Sequence, residues 1–236
     1  MTEQDKSVGL RARLVAAGVE LLALEGVHAL TLREIARQAG VSHGAPRRYF
    51  ATHAELLAAI AGHGFGELAN ALGLDAPPPS SVSAAAARHR LDELARGYLA
   101  FAAEQPGMFE LMFRHDVLEG SGAELRRTSL PLFEAVTRLV AAIRPSAGER
   151  DGDGERDGGP DGGRDRDRGR DRDGGPDGEG AGDGPPPTVV AAALWANLHG
   201  LAQLRAWGSL RLATGGDSVE PVLRATLDAH LGRDAG

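Results

Sequence analysis

The 236-residue chain contains no cysteine. Disulfide bonds, thiolate zinc sites and cysteine nucleophiles are therefore excluded, and a reducing compartment is allowed. Long apolar stretches are also missing, since the longest uninterrupted run, residues 189–196, is far shorter than the roughly 20 residues that span a bilayer. We therefore expect a cytoplasmic protein that makes no contact with a membrane.

Motifs of the common enzyme classes are absent as well. The chain has no Gly-x-Ser-x-Gly, no His-Glu-x-x-His, no phosphate-binding loop and no dinucleotide fingerprint. A helical two-metal site needs two Glu-x-x-His pairs, and only Glu25 with His28 has that spacing, near a predicted helix end. We expect a protein that is not an enzyme, with no catalytic residue, no cofactor and no metal.

Negative charge is concentrated in one segment. The formal net charge is −7, and residues 148–184 hold seven Arg against 13 Asp and Glu, which is −6, so the rest of the chain carries −1. The segment has no aliphatic residue larger than alanine and no aromatic residue, so it cannot bury enough apolar surface to offset the entropy lost on ordering. We predict a disordered insertion at about 145–187, as a solvated loop or, alternatively, a regulatory or binding tail.

Apolar residues recur at helical spacing through the rest of the chain. A first predicted helix has one apolar stripe and ends at Gly26, which can serve as a C-cap. Further helices are predicted at 84–104, 107–115 and 123–143, and two more after Pro187. The stripe of the first helix consists of Leu10, Leu14, Ala17, Leu21 and Leu24.

Two short helices and a tight turn follow the first helix. A capping box opens the second helix, in which the Thr31 oxygen accepts a backbone N–H and Glu34 reaches back. Gly40 ends it, and Ser42 can cap a short third helix over 43–48. Because Pro46 falls inside that third helix, the helix must be short or begin late.

A longer fourth helix is predicted to begin at a second capping box, residues 52–55. Its interior contains Gly62, Gly64 and Gly66, each of which costs about 0.8–1 kcal/mol relative to alanine. We place the domain boundary in this region, with a first domain at 1–66 and a second at 67–236. The glycines either weaken the helix so that it bends in function, or permit close packing.

The first unit has the pattern of a helix-turn-helix, whose third helix enters the major groove of double-stranded DNA. Between residues 31 and 53, four arginines stand against one glutamate, a local charge of +3 in an otherwise acidic chain. This charge favours attraction to phosphate. The four arginines are Arg33, Arg37, Arg47 and Arg48.

The sequence TLREIARQAGVS at 31–42, followed by Tyr49-Phe50 and Leu56-Leu57, resembles the DNA-binding domain of the tetracycline-repressor (TetR) family. The resemblance covers about residues 10–60. It implies an all-α fold, with an N-terminal three-helix helix-turn-helix domain followed by a helical ligand-binding and dimerisation domain. It also implies base contacts from His43, Gly44, Ala45, Arg47 and Arg48, and backbone contacts from Thr31, Ser42, Tyr49 and His53.

Two positions depart from the family pattern. Arg47 stands where the family usually has tyrosine, and His53 stands where it usually has lysine. Since arginine pairs bidentately with O6 and N7 of guanine, Arg47 predicts G-rich half-sites. The same departures leave an alternative open, which is a helical ligand-binding or adaptor dimer that does not bind DNA.

The helices after Pro187 have more apolar surface than packing within one domain requires. We predict that the last two helices of each chain form a two-fold, four-helix dimer interface. A two-fold dimer also suits the first unit, because two recognition helices about one DNA turn apart read a palindrome. The candidate interface residues are Leu201, Leu204, Val219, Leu223 and Leu227.

Most aromatic residues lie in the middle helices. Residues 105–113 (QPGMFELMF), together with Trp195, His199 and Gly200, resemble a TetR C-terminal subtype named for its Trp and His-Gly pattern. The resemblance implies a pocket for a small, usually apolar effector, whose binding releases the protein from DNA. We therefore expect a one-component transcriptional regulator, most simply a repressor. The pocket candidates, for each of which core packing is the alternative, are Phe101, Met108, Met112, Phe113, Phe133, Trp195 and His199.

Overall fold

The computed structural model describes residues 3–74, 82–114, 116, 118, 122–144 and 184–233, and it describes no side chains at 3–8 or 122–128. All regular secondary structure in these residues is helical, which confirms the predicted fold class. Residues 145–183 of the predicted insertion lie outside the described part. The α-helices are α1 Glu3–Glu25, α2 Leu32–Gln38, α3 His53–Ala71, α4 Ala84–Glu104, α5 Pro106–Met112, α6 Gly122–Ile143, α7 Pro187–Ala206, α8 Ser209–Thr214 and α9 Glu220–Leu231.

Helix α1 ends as predicted. The N–H of Gly26 donates to the carbonyl of Leu22 at 3.0 Å, and Gly26 has φ +80°, a conformation that favours glycine. The predicted stripe is wrong at Leu24, which is 78 % exposed. Leu22 is buried instead, because α5 packs on its side of α1. The stripe residues that are buried are Leu14, Ala17 and Leu21.

Both predicted capping boxes supply the N-terminal cap of a helix. The Thr31 hydroxyl accepts from the N–H of Glu34 at 3.2 Å, and the Thr52 hydroxyl accepts from the N–H of Glu55 at 3.1 Å. The two capping boxes differ in the second hydrogen bond, in which the glutamate side chain accepts from a backbone N–H at the start of the helix. Glu55 accepts from the N–H of Ala51 at 2.8 Å, whereas Glu34 binds Arg37 and does not reach back. Thus the first capping box is only half formed.

The predicted third helix begins late. Residues 43–45 form a turn, with the N–H of Ala45 donating to the carbonyl of Ser42 at 2.9 Å, and a 3₁₀ helix follows over Pro46–Arg48. The prediction that Ser42 caps an α-helix from His43 is therefore wrong. Proline has no N–H to donate back into such a helix, so the regular turn starts at Pro46. A second 3₁₀ helix, Val27–Ala29, precedes α2.

Helix α3 runs without interruption through the proposed domain boundary at residue 66. Its middle glycine packs closely, since a Cβ at Gly64 would lie 2.6 Å from Cγ of Met108 and 2.9 Å from Sδ of Met112. A Cβ at Gly62 or Gly66 would meet no atom within 4 Å. Close packing therefore explains Gly64 alone among the three glycines.

The second unit agrees with the predicted helices at α4 and nearly at α6, while α5 ends at Met112 and not at residue 115. Three helices follow Pro186, where two were predicted. The additional break arises at Gly208 and Gly215, which have φ +73° and +72° on either side of α8.

One continuous cluster of buried apolar side chains runs from α1 to α9. Helix α5 links the two predicted units, because it lies against α3 at Gly64 and against α1, where a Cβ at Gly107 would lie 3.0 Å from the carbonyl oxygen of Leu22. Helices α3, α4, α6 and α7 surround the centre of the second unit. Arg88 of α4 binds Asp228 of α9 at 2.6 Å and so ties the last helix to this group.

Candidate nucleic-acid interface and apolar cavity

The candidate base-reading segment, residues 43–48, lies on the surface of the first unit. His43, Gly44, Arg47 and Arg48 are exposed, and Ala45 is half-buried. The segment therefore forms a strip in which four of the five predicted base contacts are exposed. Such a strip leaves the arginine side chains open to a groove of DNA.

Two buried residues anchor the segment on its inner side. Pro46 and Phe50 are both buried, and the N–H of Phe50 donates to the carbonyl of Pro46 at 2.9 Å. The guanidinium of Arg11 lies 4.9 Å from the centre of the Phe50 ring, a distance typical of a cation–π contact. The basic side chains at 47 and 48 thus project from a segment held by the core.

The four candidate backbone contacts lie on either side of this segment in the sequence and differ in exposure. Thr31 and Ser42 are exposed, whereas Tyr49 and His53 are half-buried. The Thr31 oxygen accepts the N–H of Glu34, so its own O–H remains able to donate to a phosphate.

His53 contributes differently from the lysine usual at its position. Its Nε2 lies 2.6 Å from the carbonyl oxygen of Leu30, and since a carbonyl only accepts, Nε2 carries a hydrogen and donates. With Nε2 engaged in this bond, the backbone N–H of His53 is a donor available to a phosphate, because it lies in the first turn of α3, where amides lack a partner within the helix.

One ion pair reduces the basic character of the first unit. Arg37 binds Glu34, and this hydrogen bond lowers the pKa of Glu34 below its usual value. Within the described residues, the arginines of this stretch that have no ion pair are Arg33, Arg47 and Arg48, all exposed. Two of these three unpaired arginines, Arg47 and Arg48, therefore place their positive charge on the exposed strip.

A cavity of about 1040 Å³ lies between α3, α4, α6 and α7. It opens beside Leu130, which lines the cavity although it is 46 % exposed. Almost all of the described lining is apolar. The lining residues are Phe65, Leu68, Leu72, Leu74, Leu91, Leu94, Ala95, Tyr98, Met112, Phe113, Leu118, Ser129, Leu130, Leu132, Phe133, Val136, Ala192, Leu194, Trp195 and Leu198.

Four of the seven predicted pocket residues line this cavity, namely Met112, Phe113, Phe133 and Trp195. The other three do not line it. Phe101 and Met108 are buried in the core, Met108 against Gly64, and His199 lies behind the lining in contact with Tyr98. The leucines of the lining were missed because core leucines and pocket leucines have the same helical spacing.

Phe113 is the centre of an aromatic cluster at the cavity. Its ring centroid lies 5.7 Å from Phe65, 6.4 Å from Tyr98 and 6.0 Å from Trp195, all of which line the cavity. It also contacts the His199 ring at 4.7 Å in an edge arrangement. Edge-to-face pairs at these distances are favourable, so the cluster is a stable part of the lining.

A polar pair lies at the edge of this cluster. The hydroxyl of Tyr98 is 3.0 Å from Nδ1 of His199. Burial raises the pKa of Tyr98, with an opposing effect of the Trp195 indole, and burial lowers the pKa of His199. Both groups are therefore uncharged near neutral pH.

The candidate interface residues divide into two groups. Leu201, Leu223 and Leu227 are buried within the chain, so they support a surface from the inside. Leu204 is exposed and Val219 is half-buried. The sequence alone does not separate the two groups, because it does not show which side of α7 and of α9 faces the core.

Helix α7 presents an exposed face of large apolar and small residues. Val189 and Leu204 are exposed, and Trp207 directly after the helix is 71 % exposed. Between them lie Ala196, which is exposed, and Gly200, where a Cβ would meet no atom within 4 Å. Small residues between large apolar ones allow another helix to approach closely.

Two other kinds of site were sought in the described residues. No group of three or more His, Asp or Glu side chains there has an arrangement that could hold a metal ion. In the same residues, no helix combines the length and apolar character needed to cross a membrane.

Comparison with known proteins matches two separate stretches of the chain. Residues 14–60 match the family described as bacterial regulatory proteins, tetR family, and residues 91–230 match the family described as tetracyclin repressor-like, C-terminal domain. No protein with a curated description matches the chain. The more detailed assignment to the Trp and His-Gly subtype stays a prediction.

Solved structures share the fold over nearly the whole chain. A protein of unknown function from Rhodococcus sp. RHA1 is 27% identical, with 94% of this chain and 93% of that chain covered and a TM-score of 0.61. BioQ with its natural double-stranded DNA operator is 17% identical, with 94% and 98% covered and a TM-score of 0.56. FadR from Bacillus subtilis in complex with stearoyl-CoA is 12% identical, with 94% and 99% covered and a TM-score of 0.56.

Both family matches agree with the geometry. The match at residues 14–60 covers the exposed arginine strip. The match at residues 91–230 covers most of the residues that line the cavity and by itself spans more than half of the chain. The protein therefore belongs to the tetracycline repressor (TetR) family of DNA-binding regulators.

Proposed function

We propose that the protein is a one-component transcriptional repressor that binds a palindromic operator as a homodimer and is released by a small molecule. The observation that carries the proposal is the course of α3. The helix begins at His53, beside the arginine strip, and continues to Phe65 and Leu68 in the lining of the cavity. One helix therefore contacts both the candidate DNA face and the candidate ligand site. The same proposal includes two further statements. The protein functions by binding alone, without catalysis, and it acts on its operator in the cytoplasm.

DNA contact is assigned to the exposed strip at residues 43–48. Arg47 and Arg48 read base edges, with guanine as the expected partner of Arg47. Thr31, Ser42 and Tyr49 contact the backbone, as does the amide of His53. The structure of BioQ with its operator is that of a protein with the same fold, which supports a DNA partner for this chain.

Dimerisation is assigned to the exposed face of α7. Val189, Leu204 and Trp207 supply apolar surface, and Gly200 permits close approach. Val219, half-buried directly before α9, is a further candidate for this contact. A two-fold axis through such a contact is the common way to build a dimer, and it pairs two arginine strips for a palindrome.

Release from DNA is assigned to ligand binding in the cavity. A ligand there touches α3 at Phe65 and Leu68, and α3 is bonded to the helix-turn-helix through His53 and Leu30. A small shift of α3 therefore changes the position of the arginine strip in both protomers. FadR in complex with stearoyl-CoA shows that a protein of this fold can hold a small molecule.

The test selects DNA from a randomised duplex library with the full-length protein at two salt concentrations. We expect an enriched palindrome whose binding weakens as salt rises, because bound phosphates release counterions. Arg47→Ala should weaken binding at least tenfold and relax the preference at a guanine position. Arg138→Ala serves as the matched control, since Arg138 is an exposed arginine on α6, far from the strip in sequence.

Failure to enrich any sequence would contradict the proposal. The chain would then be a ligand-binding or adaptor dimer that keeps a helix-turn-helix without using it. An equal effect of Arg47→Ala and Arg138→Ala would also contradict the assignment of the strip.

A further inference from the structure

The strip at residues 43–48 is built from short-range turns. It consists of one turn, closed by the N–H of Ala45 and the carbonyl of Ser42, and the 3₁₀ helix Pro46–Arg48. Such short pieces have poorer hydrogen-bond geometry than an α-helix and lack the cooperativity of a long one. The position of the strip is therefore set by contacts from other parts of the chain.

Arg13 of α1 binds the chain just before the strip. Its Nη2 donates to the carbonyl oxygen of Ala39 at 2.7 Å, although the two residues are 26 positions apart in the chain. Ala39 directly follows α2, at a helix end where carbonyls lack a partner within the helix. A charged donor makes the stronger kind of hydrogen bond to such a carbonyl. Arg13 therefore fixes the point at which the chain leaves α2.

Arg11 of α1 contacts the chain just after the strip. Its guanidinium lies 4.9 Å from the centre of the Phe50 ring, and a cation at this distance is attracted to the ring. Phe50 is buried, and its N–H donates to the carbonyl of Pro46, the buried residue inside the strip. A contact that holds the Phe50 ring thus also holds the inner side of the strip.

A single short stretch of α1 therefore makes both contacts. Leu14, the next residue in the chain, is fully buried and marks the side of α1 that packs on the core. Because successive residues of an α-helix are about 100° apart, Arg11 and Arg13 project from the two sides of this buried face. From there the two side chains reach opposite ends of residues 39–50.

A direct phosphate contact is the other role open to two exposed arginines near a candidate DNA face. The observed contacts favour positioning, because the guanidinium of Arg13 is engaged by the Ala39 carbonyl and that of Arg11 by the Phe50 ring. The two roles differ in a measurable way. Each phosphate contact adds about one to the slope of log affinity against log salt, whereas a positioning residue changes affinity for the correct sequence and leaves that slope unchanged.

We propose that Arg11 and Arg13 are positioning residues of the DNA-binding site, which hold residues 39–50 so that Arg47 and Arg48 meet the operator bases in register. They confer sequence preference without touching DNA. The inference rests on the DNA-binding function proposed above, and it adds two residues of α1 to a site whose expected DNA contacts all lie between residues 31 and 53.

The test compares two duplexes of equal length and composition, namely the palindrome enriched in the selection described above and a scrambled version of it. Fluorescence anisotropy at four salt concentrations gives the Kd and the salt slope of the full-length protein on each duplex. We expect Arg11→Leu and Arg13→Leu each to lower the ratio of palindrome to scrambled affinity at least fivefold, with an unchanged slope. Arg138→Leu, which removes an exposed arginine of α6, is the matched control and should change neither quantity.

Conservative variants test the chemistry of each contact. Lysine keeps a donor for the Ala39 carbonyl and a cation for the Phe50 ring, so Arg13→Lys and Arg11→Lys should each recover at least half of the loss on a logarithmic scale. Partial unfolding does not imitate the expected result, because it lowers the affinity for both duplexes by the same factor and leaves their ratio unchanged.

Three results would overturn the inference. They are an unchanged affinity ratio in the leucine variants, a salt slope that falls by about one in them, which indicates a lost phosphate contact, and no recovery with lysine. Failure of the unaltered protein to enrich any sequence would refute the proposed function and the inference with it. An enriched palindrome together with any of the three results would leave the regulator standing and remove only the positioning role.

Discussion

The hydroxyl of Tyr98 and Nδ1 of His199 lie 3.0 Å apart and join α4 to α7 across the edge of the cavity. The two residues are 101 positions apart in the chain, and their rings belong to the cluster around Phe113. The bond satisfies a buried phenol that would otherwise lose its hydrogen bonds to water. It also involves the half-buried His199, whose protonation affects stability.

Stability should fall as the pH falls, in part because of His199. Burial holds the pKa of His199 below its usual value of 6.5 in the folded protein, so the unfolded chain takes up a proton at a higher pH. The stabilising contribution is therefore present above about pH 6.5 and is lost as the pH falls below it. We expect Tm to decrease between pH 8.0 and 6.0 by more in the unaltered protein than in His199→Phe, as measured by calorimetry. Equal decreases would refute this assignment.

The three glycines of α3 should respond in opposite ways to alanine. Gly64→Ala forces Met108 and Met112 to move and should destabilise the protein by about 1–2 kcal/mol, as overpacked core positions do. Gly62→Ala and Gly66→Ala meet no neighbour within 4 Å and should each stabilise it by up to about 1 kcal/mol. Urea denaturation of the three variants provides the measurement, and stabilisation by Gly64→Ala would show that close packing does not explain this glycine.

A double variant at two of these glycines, Gly62 and Gly66, tests whether α3 bends on ligand binding. If the flexibility of Gly62 and Gly66 is needed, the double variant Gly62→Ala/Gly66→Ala should bind operator but be released by ligand less readily. Electrophoretic mobility shift with increasing ligand measures this. Unchanged release would exclude the bending hypothesis for α3.

A substitution at Gly200 should separate folding from dimerisation. In one chain there is open space at Gly200, and leucine is about 0.8–1 kcal/mol better than glycine inside a helix, so Gly200→Leu should not destabilise the protomer. In the proposed dimer, the added side chain stands between two closely packed helices. We expect the dimer dissociation constant to rise at least tenfold in sedimentation equilibrium. Gly66→Leu, at an equally open glycine on α3, should leave it unchanged; no change with Gly200→Leu would place the interface elsewhere.

Two arginines on α4 should differ in their effect although both bind α9. The Arg88 side chain is 14 % exposed and binds Asp228 and the Gly232 carbonyl, whereas Arg96 is 45 % exposed and binds Glu220. Water competes less with the buried pair, and removal of Arg88 leaves a partly buried carboxylate unpaired. We expect Arg88→Met to lower the free energy of unfolding by about 1–3 kcal/mol and Arg96→Met to have less than half of that effect. Chemical denaturation measures both, and the reverse order would contradict the role of burial.

Local features of the first unit could be predicted from the sequence because they depend on neighbours within about four residues. The caps at Thr31 and Thr52 and the turns at Gly26 and Gly40 are hydrogen bonds and φ angles of this kind. Family resemblance predicted residues 43–48 as the base-reading segment, and the segment is largely exposed. The sequence also indicated that the third helix begins late, at Pro46, because proline has no backbone N–H to donate within a helix.

The second unit shows where the sequence was insufficient. Helical spacing identified α4 to its ends. The pocket candidates, which came from the family resemblance, included Phe101 and Met108, which do not line the cavity, and omitted Tyr98 and the leucines, which do. It also placed Leu201 and Leu223 at an interface, although both are buried in the chain.

The sequence by itself determined most of the helices, the caps at Thr31 and Thr52, the basic strip and the family, because these follow from short-range bonding and from a motif that is continuous in the chain. Only the tertiary structure decided which apolar side chains surround empty space, which ones fill the core and which remain exposed on α7. The physical reason is that the hydrophobic effect is not directional, so the same apolar spacing along a helix suits the core, the wall of a cavity and a face that another helix could cover. The difference between them arises from the angles at which α3, α4, α6 and α7 pack, and those angles are set by contacts as distant in sequence as Tyr98 and His199.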